Sequence, residues 1–79
     1  MTPIDQRVQK IFREAFENDA LQVIDSMSSE NTPEWDSLAQ IKLIVGLEEE
    51  FGIKFTTDEI TEANSARALK QIIQHHLAG

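Results

Sequence analysis

Cysteine is absent from this 79-residue chain, and proline, glycine and aromatic residues are few. Without cysteine, neither disulfide bonds nor thiolate metal sites can stabilise the fold, so stability must come from packing of the 41% of residues that are hydrophobic. The longest apolar stretch, residues 43–47, is far shorter than the roughly 20 residues of a membrane-spanning helix, and we expect no stable insertion into a membrane. The first residues also lack the apolar segment of a secretion signal, which favours a cytoplasmic protein.

Basic residues are scarce as well, and the formal net charge at pH 7 is −7. The whole excess lies in residues 30–62, which hold nine acids and two bases, Lys42 and Lys54. Nucleic acid and anionic membranes are poor partners for such a surface, whereas a basic protein surface would be attracted to it. The alternative is an acidic face that serves solubility alone.

The first predicted helix lies near the N-terminus. Thr2 is suited to the N-cap and Pro3 to the first helical position, while the Asn-Asp pair at residues 18–19 is suited to the helix end. Apolar residues recur at helical spacing, namely Ile4, Val8, Ile11, Phe12 and Ala15. The pattern is that of an amphipathic helix with one side in the core.

Residues 37–51 form the second and longest predicted helix. Asp36 is suited to its N-cap and Gly52 to the position after its end. Gly46 lowers helix propensity by roughly 1 kcal/mol relative to Ala, and either allows another helix to approach closely or is simply tolerated. We expect the buried side of this helix to comprise Leu38, Ile41, Ile44, Val45, Leu47 and Phe51.

Two further helices follow. Thr56 and Glu59 have the spacing of a capping box, which predicts a short helix over residues 57–63. Ser65 is suited to cap a last helix, whose apolar positions are Ala66, Leu69, Ile72, Ile73 and Leu77. No segment alternates with the period of a strand. We therefore predict an all-α protein, a four-helix bundle with three longer helices and one short helix, which forms a single monomeric domain over residues 1–79.

A loop of 20 residues, 17–36, separates the first two helices. Loops of this length are uncommon in compact domains and are often functional. Its isolated apolar residues are predicted to pin it over the bundle, and they are Leu21, Val23, Ile24 and Met27. Trp35 is predicted to anchor the loop on the start of the second helix, with direct contact to a partner as the alternative.

Ser37 follows this loop at the first turn of the second helix. A helix N-terminus presents free backbone N–H groups and a partial positive charge, so it favours a phosphate group. Serine at a helix start is usually only structural, but Asp36 already occupies the N-cap. The pattern therefore favours a phosphate ester on Ser37, with a purely structural serine as the alternative.

The segment around Ser37 resembles the acyl carrier protein family. The resemblance is carried by Asp-Ser-Leu at residues 36–38 and Leu-Glu-Glu-Glu-Phe at residues 47–51, followed by Gly-Ile-Lys-Phe, Thr-Asp-Glu-Ile and the Ser-Ala at residues 65–66. It is strong from Trp35 to Ile73 and weak from Met1 to Glu34. Asp-Ser-Leu alone recurs by chance; its combination with the acidic segment at this spacing is specific.

The resemblance implies a 4′-phosphopantetheine on Ser37, whose terminal thiol carries an acyl group as a thioester. It implies that Asp36 helps a phosphopantetheinyl transferase to bind its metal and to recognise the serine, and that Leu38 belongs both to the core and to the recognition surface. The implied partners also include acyl-loading ligases or synthetases and acyltransferases of fatty-acid, polyketide or related specialised pathways. Such a protein is a carrier and not an enzyme.

The acidic residues Glu48, Glu49 and Glu50 are interpreted as a solvated helix face, and the resemblance implies that these acids, Glu48 and Glu49 foremost, also dock basic grooves of partner enzymes. The family often has acids two and five residues after the serine, where this chain has Ala39 and Lys42. This departure favours a dedicated pathway with its own synthetase or transferase, and it makes Lys42 a candidate for partner selection.

Other chemistry is not indicated. His75 and His76 are interpreted as surface residues that point to different helix faces and do not bind a metal together. The chain has no Gly-x-Ser-x-Gly turn, phosphate loop or zinc spacing, so we predict no enzymatic activity and no metal site. The cargo stays open between acyl and aminoacyl groups. The rival hypothesis is an unmodified acidic helical adaptor that only binds partner proteins.

Overall fold

The computed structural model describes residues 2–78, and it contains four α-helices over that range. They are α1 (Pro3–Ala15), α2 (Ser37–Phe51), α3 (Thr57–Glu62) and α4 (Ala66–Ala78). The predicted all-α architecture with one short helix is confirmed, and within residues 2–78 the β pairing is limited to an isolated bridge between Ser28 and Ser65. In the same range, no helix has both the length and the apolar character needed to cross a membrane.

The helix bounds follow from local caps. The Asp36 carboxylate accepts a hydrogen bond from the Ala39 N–H at 2.9 Å, and Gly52 ends α2 in the left-handed conformation with φ 66°. Both α1 and α3 begin with a capping box, and the capping box of α3 agrees with the prediction. However, α1 ends at Ala15, earlier than predicted, because Glu17 adopts a left-handed conformation with φ 54° and turns the chain.

The core lies between α1, α2 and α4, with the loop closing one side. Gly46 allows α1 and α2 to approach closely, since a Cβ atom built on it would lie 2.8 Å from the Cγ2 atom of Ile11. Gly46 is therefore needed for the close approach of α1 and is not simply tolerated. Six large side chains are fully buried, and they are Val8, Phe12, Leu43, Leu47, Leu69 and Ile73.

The predicted buried side of α2 is wrong at three positions. Leu38 and Ile41 are each 61% exposed, and Val45 is 47% exposed. The buried residues of α2 are instead Ala39, Leu43, Ile44, Leu47 and Phe51. The reason is that α2 carries apolar residues on two opposite faces, of which only one packs against α1.

The loop is fastened to the turn between α3 and α4. The Ser29 N–H donates to the Asn64 carbonyl, and the Ala66 N–H donates to the Met27 carbonyl, both at 2.9 Å. Met27 is buried as predicted, whereas Ile24 is exposed, which contradicts its predicted role in pinning the loop. At the C-terminal end, Leu77 is also exposed and lies outside the core of α4.

Candidate functional site

Ser37 is the first residue of α2, and the structure leaves it exposed. Its side chain forms no hydrogen bond within residues 2–78. The backbone N–H groups of the first turn of a helix have no acceptor within the helix, and the Asp36 cap satisfies that of Ala39 only. A nucleophilic hydroxyl is therefore presented to solvent beside backbone donors that favour an anion.

Asp36 holds the helix start in place and stays accessible. Its Oδ1 atom accepts the Ala39 N–H at 2.9 Å, and the residue as a whole is exposed. The carboxylate thus has free lone pairs for a metal ion brought by another protein. Within residues 2–78 there is no group of acidic or histidine side chains that could itself hold a metal ion.

An open groove of about 480 Å³ lies beside Ser37. It separates the start of α2 from the turn between α3 and α4. Its lining mixes apolar and polar side chains, which are Ser29, Trp35, Asp36, Ser37, Gln40, Ile41, Ala63 and Asn64. A flexible arm attached at Ser37 would find both apolar surface and hydrogen-bonding groups there.

Trp35 lines this groove and anchors the loop, as predicted. It is only 4% exposed, and its ring packs edge-on against Phe12 at 5.4 Å and Phe16 at 5.9 Å between centroids. Its Nε1–H donates to Gln40 Oε1 at 2.6 Å, and Gln40 Nε2 donates to the Ala63 carbonyl at 3.0 Å. Gln40 thereby links the loop, α2 and the end of α3. No local pattern indicates this role, because Ala63 is distant along the chain.

The exposed residues of α2 line up in one row that starts one residue after Ser37. We define the exposed stripe of α2 by the residues at this helical spacing, which are Leu38, Ile41, Lys42, Val45 and Glu49. The stripe is apolar at the Ser37 end, has one cation in the middle and one anion at the far end. Leu38 and Lys42 are both exposed on this stripe, and the expected core role of Leu38 is wrong.

The three consecutive glutamates of α2 have different environments. Glu48 is half-buried and its Oε2 atom accepts the Phe55 N–H at 2.9 Å, so it orders the connection to α3. Glu50 pairs with Arg7 at 2.8 Å and with Lys10 at 3.3 Å, and these two bases, Arg7 first, lower the pKa of its carboxyl. Glu49 is exposed and has no ion pair among the described residues. Of the two glutamates predicted to dock partners, Glu49 is the freely accessible one.

The predicted surface role of His76 is wrong. Its ring is half-buried, and its Nε2 atom lies 2.9 Å from Oε1 of Glu59 on α3. The Thr56 backbone N–H, followed by the His76 ring, lowers the pKa of the Glu59 carboxyl. His76 thus ties α4 to the short helix α3, whereas His75 is exposed as predicted.

The residues present fit a phosphopantetheine group. An exposed hydroxyl at a helix N-terminus, an accessible carboxylate next to it and a groove of mixed polarity alongside are the features such a group needs. Ser37 would hold the phosphate, and the groove would face the arm. The group would supply a thiol, which this chain lacks.

Comparisons with known proteins agree with this geometry. The family model described as phosphopantetheine attachment site matches residues 34–73, half of the chain. The solution structure of holo acyl carrier protein from Geobacter metallireducens superposes with a TM-score of 0.86 at 30% sequence identity, over 98% of this chain and 88% of that chain. The chain belongs to the acyl carrier protein family, the phosphopantetheine-dependent carriers whose prosthetic group is covalently attached 4′-phosphopantetheine.

Proposed function

We propose that this chain carries acyl groups as thioesters on a 4′-phosphopantetheine attached to Ser37, and that it catalyses no reaction itself. The observation that carries the proposal is the exposed Ser37 hydroxyl at the N-terminus of α2, within the segment that the family model matches. The attached group supplies the thiol on which a thioester forms. The chain's own part is to present that group, because a tether raises its concentration at a docked enzyme.

Ser37 acts as the acceptor in the attachment step. Its Oγ atom forms a bond to the phosphorus of the phosphopantetheine as the pyrophosphate P–O bond of coenzyme A breaks, and adenosine 3′,5′-bisphosphate leaves. The hydroxyl proton passes to a base of the transferase. Asp36 serves this step by offering a carboxylate to the metal ion of the transferase while it keeps the first turn of α2 rigid.

Partner enzymes are proposed to dock on the exposed stripe of α2. Its apolar residues supply contact area, and exposed apolar residues in a row are a common feature of protein-binding surfaces. The charges at Lys42 and Glu49 supply steering and selection. Lys42 favours a partner with an acidic residue opposite it, which supports a dedicated fatty-acid, polyketide or related pathway with its own loading enzyme.

Intact mass spectrometry tests the attachment. After incubation with a phosphopantetheinyl transferase and coenzyme A, we expect the wild-type chain to gain one phosphopantetheine and Ser37→Ala to gain nothing while folding normally. Ser29→Ala is the matched control, since Ser29 is another exposed serine at the same groove, and it should be modified like the wild type. An unmodified wild type with several transferases would favour the rival hypothesis of an adaptor that carries nothing.

A further inference from the structure

A polar residue, Gln40, lies on the core-facing side of α2 close to Ser37. Gln40 lies one helical turn before Leu43 and Ile44, both of which are buried, and so it faces the same side of the helix. A polar side chain at this position interrupts the apolar row where the core meets the groove beside Ser37. Its amide is held at both ends, by Trp35 at 2.6 Å and by the Ala63 carbonyl at 3.0 Å.

The bridge formed by these three residues, Trp35–Gln40–Ala63, spans the boundary between groove and core. Trp35 and Ala63 belong to the buried core, and all three residues also line the groove. An alkyl chain could pass from the groove into the core at this point only by displacing the Gln40 amide. The indole N–H of Trp35 would then be buried without an acceptor, and a buried donor without a partner is strongly unfavourable.

We propose that the Trp35–Gln40–Ala63 bridge closes the groove against the core, so that a group carried on Ser37 stays outside the helices and is accessible to solvent. This inference rests on the proposed function and specifies its cargo. A long alkyl chain gains no shelter from water in such a carrier. Short or polar acyl groups lose nothing by remaining outside, and they are the class of cargo that the bridge favours.

Chain-length dependence of thioester protection tests the inference. A phosphopantetheinyl transferase with coenzyme A, acetyl-coenzyme A or octanoyl-coenzyme A would give the holo, acetyl and octanoyl forms of the full chain. We expect hydroxylamine to cleave both wild-type thioesters at rates within about a factor of two, since neither is shielded. The single tryptophan gives one indole N–H signal by NMR, and this signal should be the same in all three forms.

Gln40→Ala should open the boundary. In this variant we expect the octanoyl thioester, but not the acetyl thioester, to be cleaved more slowly than in the wild type, and the indole signal to move on octanoylation. Gln6→Ala is the matched control, because Gln6 is exposed on α1 and away from the groove, and it should behave like the wild type. Gln40→Glu keeps the size of the side chain and the acceptor for Trp35 but loses the amide donor to Ala63, so intermediate protection is expected.

The outcomes separate this inference from the proposed function. Protection of the wild-type octanoyl thioester, with or without a shift of the indole signal, would overturn the closed boundary while leaving the attachment at Ser37 intact. Equal cleavage of both thioesters in a folded Gln40→Ala would overturn the role of Gln40. If Gln40→Ala does not fold, the wild-type comparison and Gln40→Glu decide. No mass gain with any donor would overturn the attachment, and this inference with it.

Discussion

Neighbouring residues of the same type serve different purposes in this molecule, and Glu48 and Glu49 are the sharpest case. One carboxylate accepts the Phe55 N–H and orders the segment before α3, while the other is exposed at the far end of the exposed stripe of α2. At about 1.5 Å per residue, Glu49 lies roughly 18 Å along the helix from Ser37. An enzyme held at Glu49 could therefore have its active site near the Ser37 end.

Charge reversal at Glu49 should affect association and leave stability unchanged. We expect Glu49→Lys to slow phosphopantetheine transfer by about twofold to tenfold at low salt, and the difference to shrink at high salt, because steering between charges is screened. Steady-state kinetics at two ionic strengths and thermal unfolding measure the two effects. Equal rates for wild type and variant at low salt would show that this acidic face serves solubility alone.

Glu48→Gln is the matched comparison at the adjacent position. Its carboxylate hydrogen bond to the Phe55 N–H becomes a weaker neutral one, so we expect a lower free energy of unfolding with little effect of salt on transfer kinetics.

Lys42→Glu, at the centre of the stripe, is expected to raise the rate at which a general fatty-acid synthase enzyme acts on the chain. A lower rate of that enzyme on Lys42→Glu than on the wild type would argue against a selective role of Lys42.

Gly46 permits the close approach of α1 and α2, which predicts an unusual sign for a glycine substitution in a helix. Gly46→Ala gains about 1 kcal/mol in helix propensity but places a Cβ atom 2.8 Å from the Ile11 Cγ2 atom, an overpacking that costs about 1–3 kcal/mol. We expect net destabilisation of up to about 2 kcal/mol. Chemical denaturation measures it.

Ile11→Leu removes the methyl group on Cβ while it conserves the volume of the side chain. In that background, Gly46→Ala should become neutral or stabilising, by up to about 1 kcal/mol. A double-mutant cycle of the two substitutions isolates the clash. Additive effects of the two substitutions would mean that the Ile11 methyl group is not the reason why alanine is unfavourable at position 46.

At the scale of the helix, α2 shows what a pattern of apolar residues can and cannot predict. Its bounds were predicted correctly because the caps, Asp36 and Gly52, act through local geometry. Its buried face is predicted only in part: Ile44, Leu47 and Phe51 are buried as expected, but Leu38, Ile41 and Val45 are exposed, because they repeat at the same spacing as the true core residues. Periodicity alone does not identify which of two apolar faces is covered.

Substitutions on the two faces of α2 should have different effects, one on stability and the other on phosphopantetheine transfer. Leu43 is fully buried, so Leu43→Ala is expected to lower the free energy of unfolding by about 2–5 kcal/mol. Ile41 is 61% exposed, and Ile41→Ala should change stability by no more than about 0.5 kcal/mol while it slows phosphopantetheine transfer. Urea denaturation and transfer kinetics on the same samples test both. A large stability loss at Ile41 would place the stripe in the core.

Contacts between distant parts of the chain are the features that the sequence could not predict. Ser37 and its cap follow from local motifs, whereas the Gln40 bridge depends on Ala63 just after α3 and the His76 contact depends on Glu59 on α3. The long loop was predicted, but its attachment to the turn before α4 depends on backbone hydrogen bonds that no side-chain pattern encodes. The groove beside Ser37 exists only because these parts meet.

Across the whole molecule, ion pairs and one histidine–carboxylate contact tie each helix to another. Arg7 on α1 pairs with Glu50 on α2, and Glu59 on α3 lies against His76 on α4. Lys70 on α4 is mostly buried and lies 3.1 Å from Asp5 on α1 and 3.0 Å from Asp25 in the loop, which joins three parts of the chain. Lys70, followed by the Thr2 backbone N–H, lowers the pKa of the Asp5 carboxyl.

The lowered pKa of Asp5 predicts how stability depends on pH. Because the folded state binds this proton less tightly than the unfolded chain, the contribution of Asp5 is complete above its ordinary pKa of about 4 and is lost as the pH falls through the lower folded value. Asp5→Asn should therefore lower the thermal midpoint at pH 6, and the difference from wild type should shrink as the pH falls towards 3. Asp19→Asn removes the same charge from an exposed aspartate with no ion pair among the described residues, so it is the matched control. If the thermal midpoints of both variants differed from wild type equally at every pH, general charge repulsion in this acidic chain would outweigh the Lys70 contact. A difference in thermal midpoint confined to Asp5→Asn and to the upper part of the pH range would assign that stability to the link between α1 and α4.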